Sequence, residues 1–114
     1  MAVRRIDLLQ GTLDLLILKS LGTGANHGYG IASRIHQLSQ DMLRVEEGSL
    51  YPALYRLEQA GLIASDWGTS ENNRRAKFYR LTRSGQIRLR KEVQQWNLFS
   101  TAVGNVLGSL PEEV

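Results

Sequence analysis

Side chains able to donate to phosphates or base edges gather in two neighbouring stretches, GSLYPALYRLEQAGLI from Gly48 to Ile63 and ENNRRAKFYRLT from Glu71 to Thr82. In the first, Leu50, Leu54 and Leu57 recur at i, i+4 and i+7, one side of a 3.6-period helix. Ser49, Pro52, Arg56 and Gln59 fall on the other side, which carries no acid and offers hydroxyl, amide and guanidinium groups. Gly61 is placed to end this helix. Pro52 restricts its start, because a proline is tolerated in the first turn and breaks the ladder further in. The helix therefore begins near Ser49, or begins earlier and bends. Taken alone, the pattern is equally that of an ordinary amphipathic helix with a solvated outer face.

The second stretch shifts the balance. Ile63 to Thr69 is rich in β-compatible residues, Gly68 to Asn73 is turn-like and Ala76 to Leu81 is again strand-like, which predicts a hairpin with a longer loop. From Arg74 to Lys91 there are eight basic residues and no acid, more than half of the 14 Lys and Arg in the chain. A run of charge is usually a solvated face. Here Arg74, Arg75, Lys77 and Arg80 occupy a hairpin directly after a candidate recognition helix, where cations gain affinity by displacing counterions condensed on a duplex.

Three blocks, HGYGIA (His27 to Ala32), GSLYPALYRLEQAGLI and NRRAKFYRLT, resemble in order and spacing the PadR family of bacterial transcriptional regulators. The resemblance runs from about Leu8 to Trp96 and is more specific than a generic helix-turn-helix pattern. The length is similar to the short type, with one C-terminal helix in place of a larger C-terminal domain. The resemblance implies a winged-helix homodimer that usually represses transcription. In some members a small molecule or drug binds near the dimer interface and releases the protein from its operator. It also implies a phosphate contact from Tyr51, and it makes Trp96 a candidate for holding a flat aromatic effector.

The elements that must position these residues are short. A first helix is predicted from about Gly11 to Leu21 with Leu13, Leu16, Ile17 and Leu21 inward, and Leu15 and Leu18 widen its stripe beyond one face. Gly22 to Gly30 reads as a glycine-rich connection, followed by a second helix to about Gln40 with Ile31, Ile35 and Leu38 inward. A short strand near Leu43 to Val45 precedes the candidate recognition helix. Tyr55 is expected to be partly buried. The order helix, helix, strand, helix, hairpin, helix is that of a winged helix.

The last segment carries the oligomer argument. Thr82 is placed to cap a helix. Leu89, Val93, Trp96, Ser100, Val103, Leu107 and Leu110 then alternate gaps of four and three, the spacing of a coiled-coil seam, which Phe99 and Val106 broaden. A helix from Thr82 to Leu107 would be roughly 39 Å long, more than so small a body can cover. Leu89, Val93, Trp96, Phe99, Val103 and Leu107 are accordingly expected to pack on a second copy, though the helix could instead fold back on its own domain. Trp96 serves there chiefly as an anchor.

Other chemistry is disfavoured. Gly28-Tyr29-Gly30 lacks the third glycine of a dinucleotide loop, since position 33 is Ser, and reads better as a tight helix start. His27 and His36 have no acidic partners at ligand spacing, so they read as structural or surface residues and no metal site is expected. No segment resembles a nucleophile elbow, so no catalytic residue, cofactor or enzymatic activity is expected. There is no Cys, which excludes disulfides and thiolate sites and suits a reducing cytoplasm. No apolar run approaches the ~20 residues of a membrane helix, and MAVRRIDLLQ lacks the apolar core of a signal peptide, so a cytoplasmic protein is expected. A net charge of +3 permits nucleic-acid binding without demanding it.

These readings converge on a mainly α fold with a small β-hairpin. Residues 1–81 are expected to form a winged helix-turn-helix DNA-binding domain, and residues 82–114 a C-terminal dimerisation helix and tail in the same structural unit. The expected partners are double-stranded DNA, a second copy of the chain and a small-molecule effector. The DNA contacts are assigned to Ser49, Tyr51, Pro52, Arg56, Arg74, Arg75 and Lys77, with Arg4 and Arg5 adding a further contact. A winged helix used as a protein adaptor is the alternative, because fold does not fix function.

Overall fold

The computed structural model describes residues 11–109. Along the chain come α1 (Thr12–Leu21), β1 (Asn26–His27), α2 (Gly28–Leu38), α3 (Glu47–Gln59), β2 (Ile63–Thr69), β3 (Arg75–Leu81) and α4 (Arg83–Ser109). Arg4, Arg5 and Leu110 lie outside the described residues.

The core forms where the apolar stripes of the first three helices meet the root of the hairpin. Ile17, Leu18 and Leu21 of α1, Ile31 and Ile35 of α2, and Leu50, Ala53, Leu54 and Leu57 of α3 are buried with Leu62, Ile63 and Tyr79. Leu18 is thus covered within the protomer, since α2, α3 and α4 all pack on α1. Leu13 and Leu16 pack against the edge of the same cluster.

The helix ends follow from local chemistry. His27 caps α2 by accepting the Gly30 amide on Nδ1 at 3.0 Å. His36 contacts the Leu43 carbonyl through Nδ1 at 3.1 Å and Asp41 through Nε2 at 3.4 Å, tying the following loop to α2. At the end of α2 the Gln40 and Asp41 amides donate to the Gln37 and His36 carbonyls, and both residues take left-handed φ angles of 54° and 64°. That reversal stops the helix at Leu38 and turns the chain away. Leu38, expected inward, is consequently 70% exposed. The end of α3 is similar, with Gly61 at φ 76° and the Gly61 and Leu62 amides donating to the Glu58 and Leu57 carbonyls.

At its start α3 extends two residues before Ser49, so Pro52 lies inside the helix. Proline brings no amide hydrogen, and the Gly48 carbonyl four residues back loses its usual donor.

The three strands form one antiparallel sheet in the order β1-β3-β2. In β2 and β3, Ile63 pairs with Leu81 at the root and Thr69 with Arg75 at the tip. The third strand is not at Leu43 to Val45, where the structure has only an isolated bridge at Leu43. It is the dipeptide Asn26–His27, opposite Tyr79 and Phe78. The edge of β3 there supplies the pairing groups, and two residues suffice to use them.

At the wing root the Thr82 amide donates to the Leu62 carbonyl at 3.1 Å and the Thr82 hydroxyl to the Gly61 carbonyl at 2.6 Å. That hydroxyl also accepts the Gly85 amide at 3.1 Å, capping α4. Gly85 is the close-approach residue of this joint, because a Cβ there would stand 1.9 Å from the Leu62 carbonyl oxygen. The 27 residues of α4 span about 40 Å. Its first turns cross α1 and β3, and Leu89 packs against the protomer's own core. From Gln94 onward every residue of α4 is exposed.

Candidate nucleic-acid interface

Burying Leu50, Ala53, Leu54 and Leu57 turns the opposite side of α3 outward, where Gly48, Ser49, Pro52, Tyr55, Arg56 and Gln59 are all exposed. Tyr55 is 65% exposed, which corrects the expectation that it is partly buried. At 100° per residue it follows Leu54 away from the core and falls close to the centre of the outer face, with Gln59 beside it.

The two edges of this face are held by different partners. On the α1 side, Arg56 donates to Asp14 Oδ1 at 3.0 Å. The guanidinium assigned to DNA contact is thus engaged by a carboxylate, in an exposed pair of the kind worth about 0–1 kcal/mol. On the wing side, Glu58 accepts the Ser65 hydroxyl at 2.6 Å and lies 3.9 Å from Lys77 Nζ. Lys77 therefore anchors the wing to α3 as well as adding charge beside it.

Tyr51 lies against the first turn of α2. A Cβ on Gly28 would fall 2.8 Å from Tyr51 Oη and 2.9 Å from Cε1, so the ring occupies the space that the missing side chain leaves. With its ring fixed by this packing, the exposed Tyr51 can present its hydroxyl from a constant place. Tyr29 stands nearby, 76% exposed, on the rim of a cleft of about 630 Å³ shared with Ser33, His36, Arg44 and Tyr51. Tyr29 and Arg44 were not singled out by sequence reasoning. The exposed Tyr inside HGYGIA is the signal that could have drawn attention to the first of them.

On the wing, Arg74 and Arg75 are exposed, and Arg74 forms no ion pair among the described residues. Arg75 lies over the Trp67 ring, 4.2 Å from its centroid. Arg80 is directed to the other face of the hairpin, 3.9 Å from Asp66. Beneath the wing, burial pushes the Tyr79 hydroxyl above its ordinary pKa of 10.0, helped by the charge of Glu58 and by Tyr51.

Of the α4 residues assigned to a seam, Leu89 packs against the protomer core and Val93 is half-buried, whereas Trp96 and Val103 are partly exposed and Phe99 and Leu107 more fully so. The Trp96 and Phe99 rings lie 6.3 Å apart at 44°. Among the described residues no group of His, Asp and Glu is arranged to hold a metal, and no helix is long and apolar enough to cross a membrane.

Residues 17–91 match the model of the transcriptional regulator PadR-like family. The chain belongs to the PadR family. Its winged helix is similar to a transcriptional regulator from Clostridium thermocellum, 30% identical, with a TM-score of 0.76 over 84% of this chain and 93% of that one. A PadR family transcription regulator from Clostridium difficile is 31% identical, with a TM-score of 0.73 over 85% and 99%. A PadR-like transcriptional regulator from Bacillus cereus is 30% identical, with a TM-score of 0.74 over 87% and 94%. This PadR chain is accordingly a DNA-binding transcriptional regulator by family.

Proposed function

We propose that this PadR protein is a cytoplasmic homodimeric repressor that reads a near-palindromic operator through α3 and the wing. The observation that carries the reading is the pairing of two uncovered surfaces. The outer face of α3 and the Arg74–Lys77 edge of the wing are exposed together, and on the far half of α4 the side chains of Trp96, Phe99, Val103 and Leu107 are exposed. Packing those apolar residues on a second copy would make a two-fold unit. Two α3 helices would then enter major grooves with half-site centres about 34 Å apart. In this unit Ser49, Tyr51, Pro52 and Arg56 sit in or at the edge of the groove, and Arg74, Arg75 and Lys77 grip the flanking backbone or reach the minor groove.

Gel shifts on the promoter of the protein's own gene, repeated over a salt series, test the reading. Selective binding with a steep salt slope is expected, and Arg75→Ala should lower that slope by about one unit. Absence of selective binding at every salt concentration would favour a protein adaptor instead. Sedimentation should give a dimer, and a monomer at micromolar concentration would remove the two-fold arrangement.

The exposed Trp96–Phe99 pair supports a second element of the proposal, a flat aromatic effector bound at the seam. Titrating planar compounds should produce a saturable change in tryptophan emission that Trp96→Ala abolishes. If no compound gives such a change, the effector part falls while the DNA reading stands.

A further inference from the structure

Trp67, one of two tryptophans in the chain, is 59% exposed on the wing, an unusual position for so large an apolar ring. Strand register explains how it comes to lie there. Directly opposed residues of an antiparallel pair share a face, so Ile63 with Leu81, Ser65 with Tyr79, Trp67 with Lys77 and Thr69 with Arg75 line one side of the hairpin. Burial falls along that side from root to tip. Ile63 and Tyr79 are buried, Ser65 is half-buried, and the Trp67 and Thr69 pairs are exposed. The face that begins as core thus emerges at the tip beside α3, where Glu58 holds both Ser65 and Lys77.

At that tip Arg75 is the diagonal neighbour of Trp67, and its guanidinium carbon lies 4.2 Å from the ring centroid. A planar cation stacked on a stiff indole loses its lateral freedom before it meets any ligand, so less entropy remains to be lost on binding. The hairpin is also supported from behind, where Phe78 packs edge-on against His27 of β1 at 5.3 Å. The other cations nearby are placed differently: Lys77 is drawn toward Glu58, Arg80 toward Asp66 on the opposite face, and Arg74 has no aromatic platform. Only Arg75 lies over an aromatic ring among the described residues.

We propose that Trp67 is a positioning residue for Arg75, and that the pair reads minor-groove width in the duplex flanking each half-site. The inference rests on the DNA-binding reading above. A narrow A·T-rich minor groove concentrates negative potential and draws in arginine, whose weakly hydrated guanidinium is stripped of water more readily than an ammonium. Such a groove favours a guanidinium presented in one fixed pose. The indole edge left uncovered by Arg75 supplies an apolar surface for the deoxyribose walls. Trp67 and Arg75 together therefore confer a preference for A-tract flanks without hydrogen-bonded readout of a base.

The test uses the full chain and the tightest duplex it selects from a random-sequence pool, remade with A-tract or G·C flanks. Anisotropy of labelled DNA at fixed salt should show wild type favouring the A-tract flank by on the order of tenfold. Trp67→Phe, which keeps a ring under Arg75, should retain most of that preference. Trp67→Ala should reduce it below about twofold while still binding the G·C-flanked duplex. In protein carrying fluorotryptophan, the fluorine resonance assigned to Trp67 by its absence in Trp67→Phe should move as the A-tract duplex saturates.

Retention of the flank preference in Trp67→Ala overturns the proposal, as does a Trp67 resonance unmoved at saturation. Should Trp67→Ala fail to fold, Trp67→Phe and the resonance decide alone. Equal wild-type binding to both flanks defeats only the groove-width proposal. Failure to select any duplex defeats the DNA-binding reading and this inference with it.

Discussion

Replacing Gly85 by alanine tests whether the joint at the wing root is as closed as it looks. The new Cβ would stand 1.9 Å from the Leu62 carbonyl oxygen, where real contacts of this kind stay beyond 3.0 Å, so α4 must retreat by about 1.1 Å. The clashing atom is backbone and cannot rotate aside. Overpacking of this sort costs about 1–3 kcal/mol. The retreat also strains the Thr82 amide bond to Leu62, the Thr82 hydroxyl bond to Gly61 and the Gly85 cap. Losing two of these adds about 2 kcal/mol. Alanine returns about 1 kcal/mol through helix propensity. The net loss is about 2–4 kcal/mol, or a melting point lower by roughly 8–16 °C for a chain of this size. Urea and thermal unfolding at one fixed protein concentration measure it, since a self-associating chain is stabilised by mass action. Gly48→Ala is the control: nothing lies within 4 Å of its Cβ position, and stability should rise by about 0.5 kcal/mol. A loss below about 1 kcal/mol in Gly85→Ala would show that α4 can slide along the wing root, refuting the closed joint.

Arg56→Ala should reduce discrimination between operator and random DNA by about 1–3 kcal/mol if the guanidinium leaves Asp14 for a base edge. Equal losses on both duplexes in anisotropy titrations would make it a phosphate contact. Gly28→Ala should weaken DNA binding as Tyr51→Ala does, because its Cβ expels the Tyr51 ring from its seat; affinity unchanged from wild type would show that the seat does not matter. Tyr79 should make the fold sensitive to alkali. Its raised pKa means that the folded chain holds the proton more tightly, so this contribution is fully present below pH 10.0 and is lost as pH rises through the higher folded value. Denaturation midpoints measured from about pH 9 to pH 11 should fall less steeply in Tyr79→Phe than in wild type, and parallel curves would show that the hydroxyl does not contribute.

What could be read from the sequence follows the range over which each signal acts. The leucine spacing of α3, the β-rich run Ile63–Thr69 and the Thr82 cap are local patterns, and the structure reproduces them. The strand Asn26–His27 has no local signal, because neither residue favours a sheet and only the edge of β3 recruits them. Leu38 continues the stripe of Ile31 and Ile35, yet two left-handed residues turn the chain away before anything covers it. At the candidate interface the exposed positions of α3 were legible from periodicity, apart from Tyr55. The contacts that qualify them were not. Asp14 meets Arg56 across 42 residues of sequence, and the seat of Tyr51 depends on the absence of a side chain at Gly28.

Pro52 has one more consequence, which concerns acceptors. The side chains of Ser49, Tyr55, Arg56 and Gln59 on the outer face of α3 can all donate, while the missing Pro52 amide leaves the carbonyl of the exposed Gly48 without the intrahelical donor it would otherwise have. In the free protein water can satisfy that oxygen. A surface that displaces the water must bring a donor of its own or leave a dry carbonyl at a cost of about 1–3 kcal/mol. Because the group is main chain, no substitution of Gly48 removes it. Only a residue at position 52 with an amide hydrogen can close the gap.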